Sequence, residues 1–170
     1  MPVSETLRRL TFLPLVLLLL ALPGLALADD HDEEEDEAEE ARMEIVHSIA
    51  EAHFEKADLL AESGKIDAAI QELRQIHKLP FPDDEDVREQ LFEVNTTIIE
   101  LYFEAERFDE ADALLRETMQ RFAEEPRRLA ALHTLMGHAL RGRGQNEKAL
   151  EHFNKAIELG RQALKDLDRR

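Results

Sequence analysis

The sequence predicts an all-α protein assembled from three helical hairpins, and three observations carry that prediction. Apolar residues recur three and four positions apart over long stretches, the spacing that lines side chains along one stripe of a helix. Between Leu129 and Leu159 that stripe is broken once, by a glycine-containing turn. The pattern on either side of the turn then returns in two weaker copies upstream. A single hairpin leaves one apolar face wet, and isolated helices of this length are marginal in water. Burying a Leu or Phe side chain contributes roughly 1.5–3 kcal/mol, so the hairpins are expected to be stable only as a stack.

Taken in order, residues 1–28 have a short head containing Arg8 and Arg9, an apolar run from Leu10 to Leu22, a Pro23-Gly24 break and an Ala26-Leu27-Ala28 end. This is the anatomy of a secretory signal with a small-x-small cleavage site, so the mature chain is expected to begin at Asp29. An uncleaved membrane anchor is the rival reading, since the run is about long enough to span a bilayer. Export places the protein in the periplasm of a Gram-negative source and otherwise outside the cell. Residues 29–42 follow with ten carboxylates, His31 and Arg42. Mutual repulsion and the lack of apolar side chains predict a disordered or frayed acidic tail.

The domain proper is expected over residues 43–170. A first helix from near Met43 to Glu62 buries Val46, Ile49, Ala57 and Leu60, and its partner, from Ile66 to about Leu79, buries Ile66, Ala69, Ile70, Leu73 and Ile76. Pro80 and Pro82 halt that helix. Asp83 is placed to cap the next one, with acids complementing its positive end. The second hairpin carries Val87, Leu91, Val94, Ile98 and Tyr102, then Phe108, Ala111, Leu115 and Phe122. Pro126 suits the first turn of the third hairpin. There Leu129, Leu132, Met136 and Leu140 face Ala149, Phe153 and Ala156, with Leu150 and Ile157 beside them. Gly142 and Gly144 supply the left-handed backbone that ends a helix, and Asn146 is a preferred N-cap. Gly137 and Ala149 permit close approach, with Phe153 filling the space one turn on. Ala163, Leu164 and Leu167 continue the apolar stripe while Arg161, Lys165, Asp168, Arg169 and Arg170 face water, so the last helix is expected to extend as an end cap.

Gly137, Leu140, Ala149, Phe153 and Ala156 together resemble the tetratricopeptide repeat, a helix-turn-helix unit of 34 residues. Ala57, Leu60, Gly64, Ala69, Leu73 and Ile76 fall at the same offsets in one weaker copy, and Ile98, Tyr102, Phe108, Ala111, Leu115 and Thr118 in the other. The marker alanines Ala69, Ala111 and Ala149 are 42 and 38 residues apart. The excess over the family period is close to one or two helical turns, which longer helices absorb without rotating the stripe. The resemblance implies an α-solenoid of three such hairpins, with a concave side lined mainly by the first helix of each pair and a role in binding protein or peptide partners. Terminal repeats of such stacks carry a polar outer face.

Family lining positions, carried over, are Glu51, Phe54, Asp58, Ala61 and Glu62 in the first hairpin, then Glu93, Thr96, Glu100, Phe103 and Glu104 in the second. In the third they are Ala131, Thr134, His138, Arg141 and Gly142. Acids at two hairpins of three argue against the family's peptide-carboxylate mode. Phe54 and Phe103 among carboxylates point instead to a basic or amphipathic segment, apolar anchors giving affinity and charge giving steering. The competing reading packs both phenylalanines between helices and leaves the acids solvated.

Composition narrows the function classes. The chain has 21 basic and 38 acidic residues; without residues 1–28 the counts are 19 and 37. Such a surface repels nucleic acid and anionic lipid, so neither nucleic acid nor, after signal cleavage, a membrane is an expected partner. The absence of cysteine removes disulfides, thiolate metal sites, lipid attachment and a thiol nucleophile. No HExxH helix, G-x-S-x-G elbow or phosphate-binding glycine loop occurs, so no enzyme and no cofactor is expected. His53 and His133 occupy equivalent places in two repeats and are read as structural, while His138 and His152 are expected to approach each other across the third hairpin. Two alternatives stay open: cation binding or buffering by the acidic, His31-containing tail, and a homo-oligomeric scaffold in which the exposed end of one stack docks on another.

Overall fold

The computed structural model describes residues 30–169, with side chains from Asp36 onward. The candidate signal segment lies outside the described residues. Among them are six helices and no strand: α1 Asp30–Glu62, α2 Ile66–Ile76, α3 Glu85–Glu104, α4 Phe108–Arg121, α5 Pro126–Gly142 and α6 Asn146–Leu167. The chain forms two compact units that divide between Val87 and Arg88.

The first unit is the α1/α2 hairpin. Val46, Ala50, Phe54, Ala57 and Ala61 bury one stripe of α1 against Ala69, Ile70, Leu73 and Ile76 of α2. The alanines on both sides let the backbones approach. Ile49, expected inside, lies off that stripe and is exposed. Across the hairpin Glu72 accepts from His53 at 2.8 Å and from Lys56 at 2.7 Å. Those two hydrogen bonds, Lys56 foremost, hold its carboxyl below the ordinary value.

Helix α1 begins at Asp30 rather than near Met43, so the acidic tail expected to be disordered or frayed is helical. Glu and Ala are good helix formers, and acids at a helix N-terminus are favoured by the macrodipole. The described side chains from Asp36 to Arg42 are nonetheless all exposed. Helix α2 stops at Ile76, short of Leu79, and Phe81 beyond it packs on His47 at a centroid distance of 5.6 Å.

The three hairpin turns are built alike. Gly64, Glu106 and Gly144 have φ of 74°, 59° and 72°, and their spacing equals that of the marker alanines, which fixes the register of the middle copy. After each comes a residue whose N–H reaches back across the turn: Lys65 to Leu60, Arg107 to Tyr102 and Gln145 to Leu140, at 2.8–2.9 Å. Satisfying the helix end this way needs a left-handed residue, which glycine adopts freely. The same residues, Lys65, Arg107 and Gln145, hold the N-cap positions without a side-chain cap bond. Asn146 is therefore the first residue of α6, not its cap. At α3 the cap falls one residue later than expected, Asp84 Oδ1 accepting from Val87 N–H at 2.8 Å.

The second unit packs α3 to α6. Helix α3 is buried beyond its expected stripe, with Phe92, Ile99 and Leu101 joining Val94, Ile98 and Tyr102. Two arginines tie the α3/α4 hairpin to the α5/α6 hairpin. Arg128, whose side chain is 4% exposed, pairs with Glu89 at 2.9 Å and with Glu125, and its guanidinium stands 5.0 Å from the Phe122 ring and 5.8 Å from that of Phe92. Arg127 and Arg88 complete the cluster on Glu89 and Glu125. At the other end Arg143 lies 3.9 Å over Phe108 and 5.2 Å from Phe103. Its 3.6 Å approach to Asp112 is an ion pair too long for a direct hydrogen bond, so the ring faces do most of the holding. Within the last hairpin Phe153 lies directly over Gly137, where an added Cβ would stand 2.5 Å from the ring.

The end cap differs from expectation. Leu164 and Leu167 are exposed, as are Leu150 and Ile157, so α6 carries an exposed apolar ridge among its charged residues. No further helix among the described residues follows to cover it.

Candidate functional site

In the first unit the candidate residues do not form an apolar-anchored site. Glu51 and Glu62 are exposed and Asp58 is half-buried, but Phe54 is only 4% exposed and Ala61 is buried. Phe54 belongs to the core stripe, and its proposed role as an anchor is corrected accordingly.

The second unit is different. Glu93, Thr96, Glu100, Phe103 and Glu104 succeed one another along α3 at helical spacing and share one face. The first four are half-buried and Glu104 is exposed at the end of the line. The Thr96 hydroxyl donates to the Glu93 carbonyl at 2.9 Å, which turns it onto its own helix. Glu93 is raised above the ordinary carboxylate range by burial and by neighbouring Glu89, partly offset by Arg127. Burial, with Glu104 adding like charge, pushes Glu100 up to about 7. Glu104 is also raised by partial burial. Phe103, half-buried, has the Arg143 guanidinium 5.2 Å from its ring centroid, which places a cation at the end of the row of carboxylates.

The third-hairpin candidates follow the same spacing along one face of α5, but they bring no row of carboxylates. Ala131, His138, Arg141 and Gly142 are exposed, and Thr134 is half-buried with its hydroxyl donating to the Ala130 carbonyl at 2.9 Å. His138 packs edge-on against Phe153 at 5.2 Å. The expected pairing of His138 with His152 does not occur; His152 faces His133 instead, Nδ1 to Nδ1 at 3.0 Å. Helix geometry explains the exchange, because His133 and His152 stand where His53 and Glu72 stand in the first hairpin. Burial, His152 and Lys155 hold His133 below the ordinary imidazole range. Among the described residues no group of three or more His, Asp and Glu side chains is placed to share a metal ion.

Arg128 and Arg143 were missed at the sequence level. Arg128 had a legible signal: it sits four residues before Leu132 on the apolar stripe of α5, a position where a cation needs partners. Arg143 lies in a turn and had none.

Among the described residues no helix is long and apolar enough to cross a membrane. Models of the tetratricopeptide repeat match residues 90–162 and residues 50–79, together more than half of the chain. No curated protein matches it.

Proposed function

The chain belongs to the tetratricopeptide repeat family and is a protein–protein interaction module, and from that premise we propose that its second unit receives a basic or amphipathic segment on the carboxylate face of α3. Glu100 carries the reading. Its carboxyl is held half-buried beside Glu104 with its pKa near 7, so keeping it ionised costs the free protein stability. A lysine or arginine from a partner supplies the opposite charge that this desolvated carboxylate lacks, while Phe103 offers apolar contact. Binding is the activity, and no chemical step is assigned to these residues. Residues 1–28 support export of the module, to the periplasm of a Gram-negative source.

The test uses a Lys- and Arg-rich amphipathic peptide and an acidic peptide of the same pattern, titrated calorimetrically at pH 7 in buffers of different ionisation enthalpy. The basic peptide is expected to bind with proton release, because pairing pulls the Glu100 pKa down. Glu100→Gln should abolish that release and weaken binding by about tenfold, equivalent to about 1.4 kcal/mol. The same substitution should stabilise the free protein. A carboxyl raised above its unfolded value loses stability as pH climbs from 4.5 to about 7, so the gain should be on the order of 2–3 kcal/mol at pH 8 and vanish near pH 4. Equal affinity for the acidic peptide, or binding untouched by Glu100→Gln, overturns the assignment.

A further inference from the structure

The outer face of α6 carries an apolar ridge that the α3 site does not use. Leu150, Ile157 and Leu164 are 62%, 53% and 64% exposed and stand seven residues apart, so they form a seam that drifts only about 20° per step. One turn beyond Ile157, Gly160 has open space where a Cβ would stand, which lets a second backbone come close. Charge singles out this helix. The chain as a whole is at -17, yet α6 holds four acids and four bases between Asn146 and Leu167. It is the surface on which two copies of a strongly acidic chain meet with least repulsion.

The charges are also ordered. Glu147 and Glu151 flank the ridge in the first half of α6, and Arg161 and Lys165 flank it in the second, all exposed; between them, beside Ile157, Glu158 is neutralised by Lys155 at 2.9 Å. Laid antiparallel on a second copy, the helix sets Leu150 against Leu164 of the second copy and Ile157 near its own equivalent, with acids opposite bases at both ends. A parallel pair sets like charges together. We propose that α6 is a self-complementary interface through which two copies of this chain associate by an antiparallel, two-fold contact centred near Ile157. That interface is separate from the α3 face, so each copy keeps its partner site.

Sedimentation equilibrium over a range of micromolar concentrations, on the chain with and without residues 1–28, tests this. The expected result is a monomer–dimer equilibrium that Ile157→Glu weakens by about a hundredfold or more in Kd, with the far-UV circular dichroism and Tm of the variant unchanged because the site is exposed. A charge-swap pair tests the orientation. Glu147→Lys with Glu151→Lys should self-associate poorly, as should Arg161→Glu with Lys165→Glu, and mixing the two should restore a heterodimer. A protein that is monomeric throughout, association that survives Ile157→Glu, or a mixture that fails to pair each overturns the proposal.

Discussion

Gly137 shows how tightly a single position constrains the last hairpin. The Phe153 ring occupies the space a side chain would take, with three ring atoms within 2.5–2.9 Å of an added Cβ. Overpacking of that kind costs about 1–3 kcal/mol, against a gain of about 1 kcal/mol for replacing glycine in a helix interior. Gly137→Ala is therefore expected to destabilise by about 1 kcal/mol in urea denaturation. In a Phe153→Leu background the same change should become stabilising, because the clash is gone. Additive effects in that double-mutant cycle would show that ring and glycine do not meet. The proximity was legible in the sequence as a pairing of small and large residues across a turn. The direct seating of ring on glycine was not, since it depends on the crossing of two helices. The same limit misassigned His152, whose partner lies five residues earlier on α5 than expected, and Phe54, which periodicity alone could not divide between core and groove.

At the scale of elements, helix type and order were legible because apolar stripes and turn residues agree, whereas boundaries moved wherever backbone rather than side chain closes the end. All three hairpin turns close the preceding helix's carbonyls through left-handed residues, and the residue after each takes the N-cap position of the next helix, so Asn146 falls inside α6 instead of capping it. Helix α1 is the larger departure. Its acidic beginning follows local helix propensity, but like charges four residues apart oppose it, and the described side chains there gain no burial. Amide hydrogen exchange should accordingly be fast over residues 30–42 and slow over the buried stripe from Val46 to Ala61. Lowering the pH toward 4 should protect the acidic stretch by neutralising its carboxylates. Uniform protection along α1, unaffected by pH, would mean that the extension is held by packing instead of propensity.

At the scale of the molecule, charge is what distinguishes the surfaces. The overall excess of acid was plain in the sequence, but its useful distribution was not, because carboxylates on a wet face and carboxylates half-buried on α3 read identically as letters. Burial separates them, making Glu93 and Glu100 reluctant anions while α6 stays balanced. On the proposed basic partner two kinds of electrostatic effect would then act. The field of a chain at -17 reaches about 30 Å at 0.01 M salt and about 8 Å at 0.15 M, so it governs encounter. The row on α3 acts only at contact, where partial desolvation shields it from salt. Stopped-flow binding of the basic peptide should therefore show an association rate that falls roughly tenfold or more across that salt range while the dissociation rate changes little. Glu100→Gln should do the reverse, raising the dissociation rate and leaving the salt slope of association nearly intact. If salt acted mainly on dissociation, the peptide would be held by exposed charge, and α3 would be no more than one acidic surface among several.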